Sequence, residues 1–215
     1  MNESASAWAR ALAARFDGAV LRVEPAQAIE ASRAPVPATR QAVEAALQAW
    51  CFSGARFAVA TLVQGPPAER AALVEAFSRR LDGSDQLAAA GGALAGLLLR
   101  LRVKGQDAMW WRTRQPSDLW DAGYLTGEPA AWRAFRPRRA TLVVAEPGLD
   151  GAALGEAVQI LAAHSGGFHQ PVRLLVLGRS IDARAWSSTP SSSVAITEIT
   201  WPSGAASAST ASASR

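Results

Sequence analysis

The chain has 215 residues, 49% of them hydrophobic, with a formal net charge of +4 and a single cysteine. That is enough apolar material for one ordinary domain core. A lone cysteine excludes an internal disulfide and a cysteine-rich zinc site. No apolar run reaches the ~18–20 residues that a bilayer span needs. The first residues carry an acid and no basic stretch, so they do not read as a secretion signal, and cytoplasm is the expected compartment. The basic residues are almost all arginine, Lys104 being the one lysine. In an alanine-rich chain that bias fits a GC-rich genome, although arginine also suits planar phosphate and carboxylate contacts better than lysine does.

The spacing of Trp8, Leu12 and Phe16 predicts a helix over residues 4–16, ended by Asp17-Gly18. Residues 19–23 read as a short strand and 34–37 as a loop. Thr39 is a candidate N-cap for a helix over 40–50, with Val43, Ala46, Leu47 and Trp50 on one face. Residues 57–63 form a nearly continuous apolar, β-favouring run, which suits a strand buried on both faces of a parallel sheet. A helix over 69–81 follows, with Leu73, Ala76, Phe77 and Leu81 inward, then a turn at 82–85. Residues 86–101 are helical in pattern but weakened by Gly91, Gly92 and Gly96. Residues 102–139 read as irregular, aromatic and basic. A second buried strand is expected at 140–145, a helix at 151–164 and a third strand at 172–177. A fourth, more alternating strand at 194–201 suits a sheet edge. Residues 203–215 are Ser, Ala and Thr with no large apolar side chain, and are expected to be an unpacked tail. Alternating strands and helices predict an α/β fold with a parallel sheet. The chain divides into an N-terminal helical extension and linker (1–55), an α/β core (56–201) and a tail (202–215).

The chemistry-bearing stretch is the junction at Gly65-Pro66-Pro67. A strand runs into it and a helix leaves at once, the setting in which N–H groups at a helix start cradle phosphate. Against G-x-x-x-x-G-K-[ST], counting from Gly65, Arg70 stands at the second Gly, Ala71 at the Lys and Ala72 at the Ser/Thr. Pro66 and Pro67 remove N–H donors, and Glu69 repels phosphate. Further on, Arg136-Pro137-Arg138-Arg139 leads into a strand ending Ala145-Glu146, and strand 172–177 ends at Gly178-Arg179. With the helix 44–50 ahead of them, these features in this order resemble the P-loop NTPases of the AAA+/STAND group over roughly residues 40–201.

The resemblance implies a three-layer, P-loop-like α/β domain and ATP as the cofactor. It makes 65–72 a pseudo-Walker A loop in which Gly65 and Arg70 are the nucleotide-binding candidates. It makes 141–146 a pseudo-Walker B strand and 172–179 a sensor-1-like strand ending in Arg179. In that group the Walker B Asp organises Mg²⁺ and a following Glu polarises the attacking water. Here Ala145 takes the Asp position and Glu146 stands where the second acid would be. Loss of Lys, hydroxyl and Asp together removes the metal-centred electrostatics on which phosphoryl transfer depends. The expectation is a catalytically degenerate NTPase-fold protein with weak or no nucleotide binding, acting as a regulatory or protein-interaction module. Glu146 would be catalytic only if the site were active. The alternative is a DNA-associated helper ATPase using the basic, Trp-rich segment.

Several residues keep two readings open. Arg70 is either a phosphate contact or a solvated first-turn residue. Arg179 is a sensor, or a trans-acting finger in an oligomer, or is held at the sheet end by Asp182. Glu146 and Asp150 flank Pro147-Gly148, which reads as a solvated turn. His164 and His169 lack the spacing of a helical metal pair, and no metal site is expected. In the segment 100–139, Trp110, Trp111, Arg112, Arg114 and Trp120 are the partner-binding candidates. Arginine with tryptophan fits a protein interface or a nucleic-acid stacking surface. It also fits a lid whose Trp residues pack on the sheet while the arginines stay solvated.

Overall fold

A computed structural model describes residues 21–22, 25, 37–89, 118–126, 129–181 and 194–202. The described elements are β1 (Leu21–Arg22), α1 (Pro37–Cys51), β2 (Phe57–Leu62), α2 (Pro67–Leu81), α3 (Ser84–Ala89) and β3 (Asp121–Leu125). They continue with α4 (Pro129–Ala134), β4 (Thr141–Ala145), α5 (Gly151–His164), a 3₁₀ turn (Ser165–Gly167), β5 (Val172–Leu177) and β6 (Ile196–Glu198). The strands form one sheet in the order β1-β3-β4-β5-β2-β6. All pairings are parallel except the one between β1 and β3.

β2, β4 and β5 are buried along their whole length, as their unbroken apolar sequences require. Alternate residues serve opposite faces. Val59, Val143, Ala145, Leu174 and Val176 pack with α4 and α5 through Trp132, Leu154, Val158 and Leu161. Ala58, Ala60, Leu62, Leu142, Val144 and Leu175 pack with α1 and α2 through Val43, Leu47, Leu73 and Phe77. Helices thus cover both faces, giving three layers. Each Leu or Val so buried contributes about 1.5–3 kcal/mol. α2 starts without a side-chain cap, relying on Pro66 and on Pro67 in its first turn. α5 is capped by Asp150, whose carboxylate accepts from the Ala153 N–H at 3.1 Å.

The stretch expected to be irregular holds two ordered elements, β3 and α4. β3 reads Asp-Ala-Gly-Tyr-Leu, too polar at its start and too broken by glycine to look like a buried strand. It forms because it is flanked by β4 and β1. Gly123 admits β1: a side-chain carbon there would fall 3.0 Å from the Arg22 carbonyl oxygen and 3.1 Å from Leu21 Cβ. At the start of β3, buried Asp121 meets buried Arg139 at 3.5 Å. The fourth expected strand shortens to β6, and of the predicted strand at 19–23 the described residues Leu21–Arg22 form β1. The expected helix at 4–16, most of the stretch 86–101 and the tail 203–215 lie outside the described residues.

Arg173 is the one fully buried arginine among the described residues (0% exposed) and sits in the middle of the sheet. Its guanidinium donates to Trp50 O (3.2 Å), Cys51 O (3.1 Å), Ser53 O (2.6 Å) and Val172 O (3.1 Å). These include the last carbonyls of α1, which have no partner within the helix; Trp50 O also accepts the Ser53 N–H at 3.1 Å. Arg173→Ala is expected to cost about 3–5 kcal/mol in urea unfolding, because it strands buried carbonyls and opens a cavity. Arg173→Lys should recover only part of that, since an ammonium cannot span the same fork of acceptors.

Asp82, just past α2, carries a second consequence. Burial raises its carboxyl from 3.8 to about 6, against the opposing hydrogen bonds from Ser84, whose N–H donates to Oδ1 at 2.7 Å. The folded value lies above the unfolded one, so the folded state holds the proton more tightly. This contribution to stability is complete below about pH 4 and is lost as pH rises towards 6. Asp82→Asn should therefore gain stability relative to the parent at pH 7, by up to about 3 kcal/mol, and show little gain at pH 4, read as the pH dependence of urea unfolding.

Candidate functional site

The C-terminal ends of β2, β4 and β5 lie side by side, so the loop at Gly65, the turn after β4 and the end of β5 share one end of the sheet. Ligands of open α/β sheets bind at such an end. The loop after β2 turns at Gly65 with φ +91°, a conformation that favours glycine. It then passes through Pro66 at φ −60°, ψ 134° and enters α2.

Arg70 is neither solvated nor turned towards an open anion site. It is buried (6% exposed) and folded back into its own loop. Its Nη1 donates to the carbonyls of Val63, Gln64 (3.4 Å) and Gly65 (3.1 Å). Burial lowers the pKa of this guanidinium from its ordinary value, yet the three carbonyls keep its charge solvated. Nη2 lies 2.9 Å from where a side-chain carbon on Gly178 would stand, and Pro147 lies 3.3 Å from the same point. Gly178, with φ +70°, thus brings Arg70, the end of β5 and the turn after β4 together. The polarity of the loop is the reverse of a phosphate cradle. Carbonyl oxygens converge inward on a cation, where an anion needs N–H groups.

Trp201 closes the loop from the other side. The chain after β6 is pinned by the Ile199 N–H donating to Thr61 O at 2.9 Å, which carries buried Trp201 over Gly65. A side-chain carbon on Gly65 would fall 2.5, 2.8 and 2.9 Å from three indole atoms. Neither Trp201 nor Arg22 was singled out by motif reasoning, because neither lies in a motif. Arg22 reaches across from β1 to form an ion pair with Glu146. The acid that follows β4 is therefore engaged by a side chain of the chain itself. Ala145 is fully buried in the core, while Ala71 and Ala72 are half-buried on α2.

Arg179 is exposed, and its Nη1 lies 2.7 Å from the position of a side-chain carbon on Gly151, against the start of α5. Asp182, its alternative partner, lies outside the described residues, as do Trp110, Trp111, Arg112 and Arg114. Trp120 is a core residue (1% exposed), packed edge-on against Phe52 with ring centroids 5.7 Å apart. That burial removes it as a surface contact. His164 Nδ1 is hydrogen-bonded to Ile160 O at 2.8 Å, and the Ser165 hydroxyl donates to Ala162 O at 2.7 Å. Among the described residues no group of three or more His, Cys, Asp or Glu could hold a metal ion, and no helix is long and apolar enough to cross a membrane. No protein-family model, curated protein or solved structure matches the chain.

Proposed function

We propose that this chain is a P-loop-like domain whose nucleotide site is filled by its own side chains, and that it acts as a binding module rather than by hydrolysing nucleotide. The observation that carries this reading is Arg70, buried in the loop and held by loop carbonyls. Three further features support it. Pro66 and Pro67 offer no N–H to a phosphate. Trp201 covers Gly65. Arg22 neutralises Glu146. The adjacent ends of β2, β5 and β4 support the P-loop-like part of the reading, because a shared site requires them to converge.

A second reading, the DNA-associated one, is favoured by a specific observation. Trp120, Tyr124, Trp132 and Phe135, the described aromatics of the basic segment, are buried, while Arg133, Arg136 and Arg138 are exposed. Among the described residues, the segment thus presents charge while its aromatic side chains are buried.

Titration with a fluorescent ATP analogue, with and without Mg²⁺, should give no saturable binding below about 1 mM, a dissociation constant worth only about 4 kcal/mol. Steady-state assays should show no Mg²⁺-dependent hydrolysis. Turnover of a few per minute that disappears in Glu146→Gln would overturn the reading, even though it is far below the ordinary range of about 1–1000 s⁻¹.

Restoring the motif should not restore the site. The variant combining Arg70→Gly, Ala71→Lys, Ala72→Thr and Ala145→Asp keeps both prolines and the Trp201 cover, and should gain no measurable ATP affinity by isothermal calorimetry. Arg70→Ala alone should lower stability by about 2–4 kcal/mol by leaving loop carbonyls without donors, again without nucleotide binding.

A further inference from the structure

The opposite end of the sheet is entered by three neighbouring loops. Residues 52–56 lead into β2, 135–140 into β4 and 165–171 into β5. They lie level with one another: the Val172 N–H donates to Arg56 O at 2.8 Å, and the Thr141 N–H to Pro171 O at 2.9 Å. Together they carry Arg56, Arg136, Arg138, Arg139 and His169, and no Asp or Glu. Among the described residues, Asp118 and Asp121 belong to the approach to β3, where Asp121 meets Arg139.

The other three arginines are exposed. Two are tethered to backbone and not to carboxylates. Arg56 Nη1 donates to Gly166 O at 2.8 Å, and Arg136 Nη1 donates to Arg133 O at 2.9 Å and Phe135 O at 2.8 Å. Such tethers use one nitrogen of each guanidinium, which carries five N–H donors. Arg138 makes no hydrogen bond or ion pair with another described residue.

The same loops hold glycines that the fold does not require. A side-chain carbon on Gly54, Gly166 or Gly167 would meet nothing within 4 Å, and none of the three has a positive φ. What glycine supplies there is bare backbone that a large surface can approach closely.

We propose that this edge binds the phosphate backbone of duplex nucleic acid without reading its sequence. The inference rests on the reading of the chain as a binding module and places the contact at the end of the sheet away from the filled loop. Strand spacing of roughly 5 Å sets the entries to β4 and β2, with β5 between them, about 10 Å apart, so the arginines address separate phosphates. The aromatics decide against other partners. Phe135 and Phe168 are buried against each other, centroids 6.4 Å apart. Phe52, the exposed large apolar residue of these loops, leans edge-on against Trp120. A single-strand surface needs successive stacking faces, and a protein interface needs clustered aromatic anchors.

The test is fluorescence anisotropy of the full chain with a labelled duplex DNA of mixed sequence. Three phosphate contacts give a slope of about −2.7 in log affinity against log salt, so raising salt from about 50 to about 200 mM should weaken binding about 40-fold. Arg56→Ala and Arg138→Ala should each lower the steepness by about 1, while Arg79→Ala on α2 should change nothing. Arg138→Ala removes no described contact, so it remains decisive if Arg56→Ala loosens the fold. The proposal is overturned by no binding at low salt, or by a slope unchanged in the Arg138 variant. Tighter binding of single-stranded DNA would also overturn it, as would displacement of the duplex by polyglutamate at lower concentration than by unlabelled duplex. Magnesium-dependent ATP turnover would sink the filled-loop reading alone and leave this result standing.

Discussion

A guanidinium inside the protein holds its two best-defined parts together. Arg173 projects from β5, which lies between β4 and β2, and donates to the last carbonyls of α1 and to Ser53 beyond it. A helix end leaves carbonyls without partners and carries partial negative charge, so one cation satisfies both demands. No carboxylate partner is needed, and the cost of burying an ion is offset by four backbone acceptors. Because α1 ends there, the loop 52–56 is led directly to the start of β2, and through it the strand that feeds the Gly65 loop is set in place.

Arg70 repeats the same chemistry at the other end of β2. In both cases arginine closes a set of backbone carbonyls that a helix or turn has left facing inward. Lysine, with a compact ammonium on a flexible stem, could not reach several acceptors in one plane. The arginine bias of the composition, which fits a GC-rich genome, therefore also has structural work in this fold. At Arg70 the consequence is chemical. A loop that satisfies its carbonyls with an internal cation has fixed its backbone in the sense opposite to one that offers N–H groups to an anion. The loop with Arg70 folded into it is thus an arrangement satisfied by its own side chain.

Much of this could be read in the sequence, and the reasons for the rest are specific. β2, β4 and β5 are continuous apolar runs because helices cover both their faces. α1, α2 and α5 show their stripes because each faces the sheet on one side only. β3 was hidden because its stability comes from flanking strands and a buried ion pair with Arg139, neither of which leaves a local pattern. β1 was legible as a strand within 19–23, but its antiparallel pairing with β3 was not, because that is a long-range event with no local signature. Trp120 lies between two aspartates in sequence, Asp118 and Asp121, but in the core in space, since its neighbours in the chain do not determine what lies beneath it. At the loop, the strand–turn–helix outline was legible. The direction of the Arg70 side chain was not, because phosphate contact and solvation were the two outcomes that sequence offered, and the protein took a third. The cover supplied by Trp201 depends on β6 pairing with β2, a long-range event with no signature near Gly65.

That cover has a consequence for the edge of the sheet. β2 is a six-residue, wholly apolar strand apart from Thr61, and without β6 it would present a row of unpaired backbone groups along one side. Such an edge is a template for pairing with another chain. β6 is short, and its hold on β2 is extended by the Val59 N–H donating to Ala195 O and the Ile199 N–H donating to Thr61 O. Trp201, lodged on a glycine that can carry no side chain beneath it, latches the end of that strand. Any residue larger than glycine at position 65 would lift the indole, loosen β6 and bare the stickiest strand in the molecule. The glycine at position 65 therefore helps to keep that edge of the sheet covered.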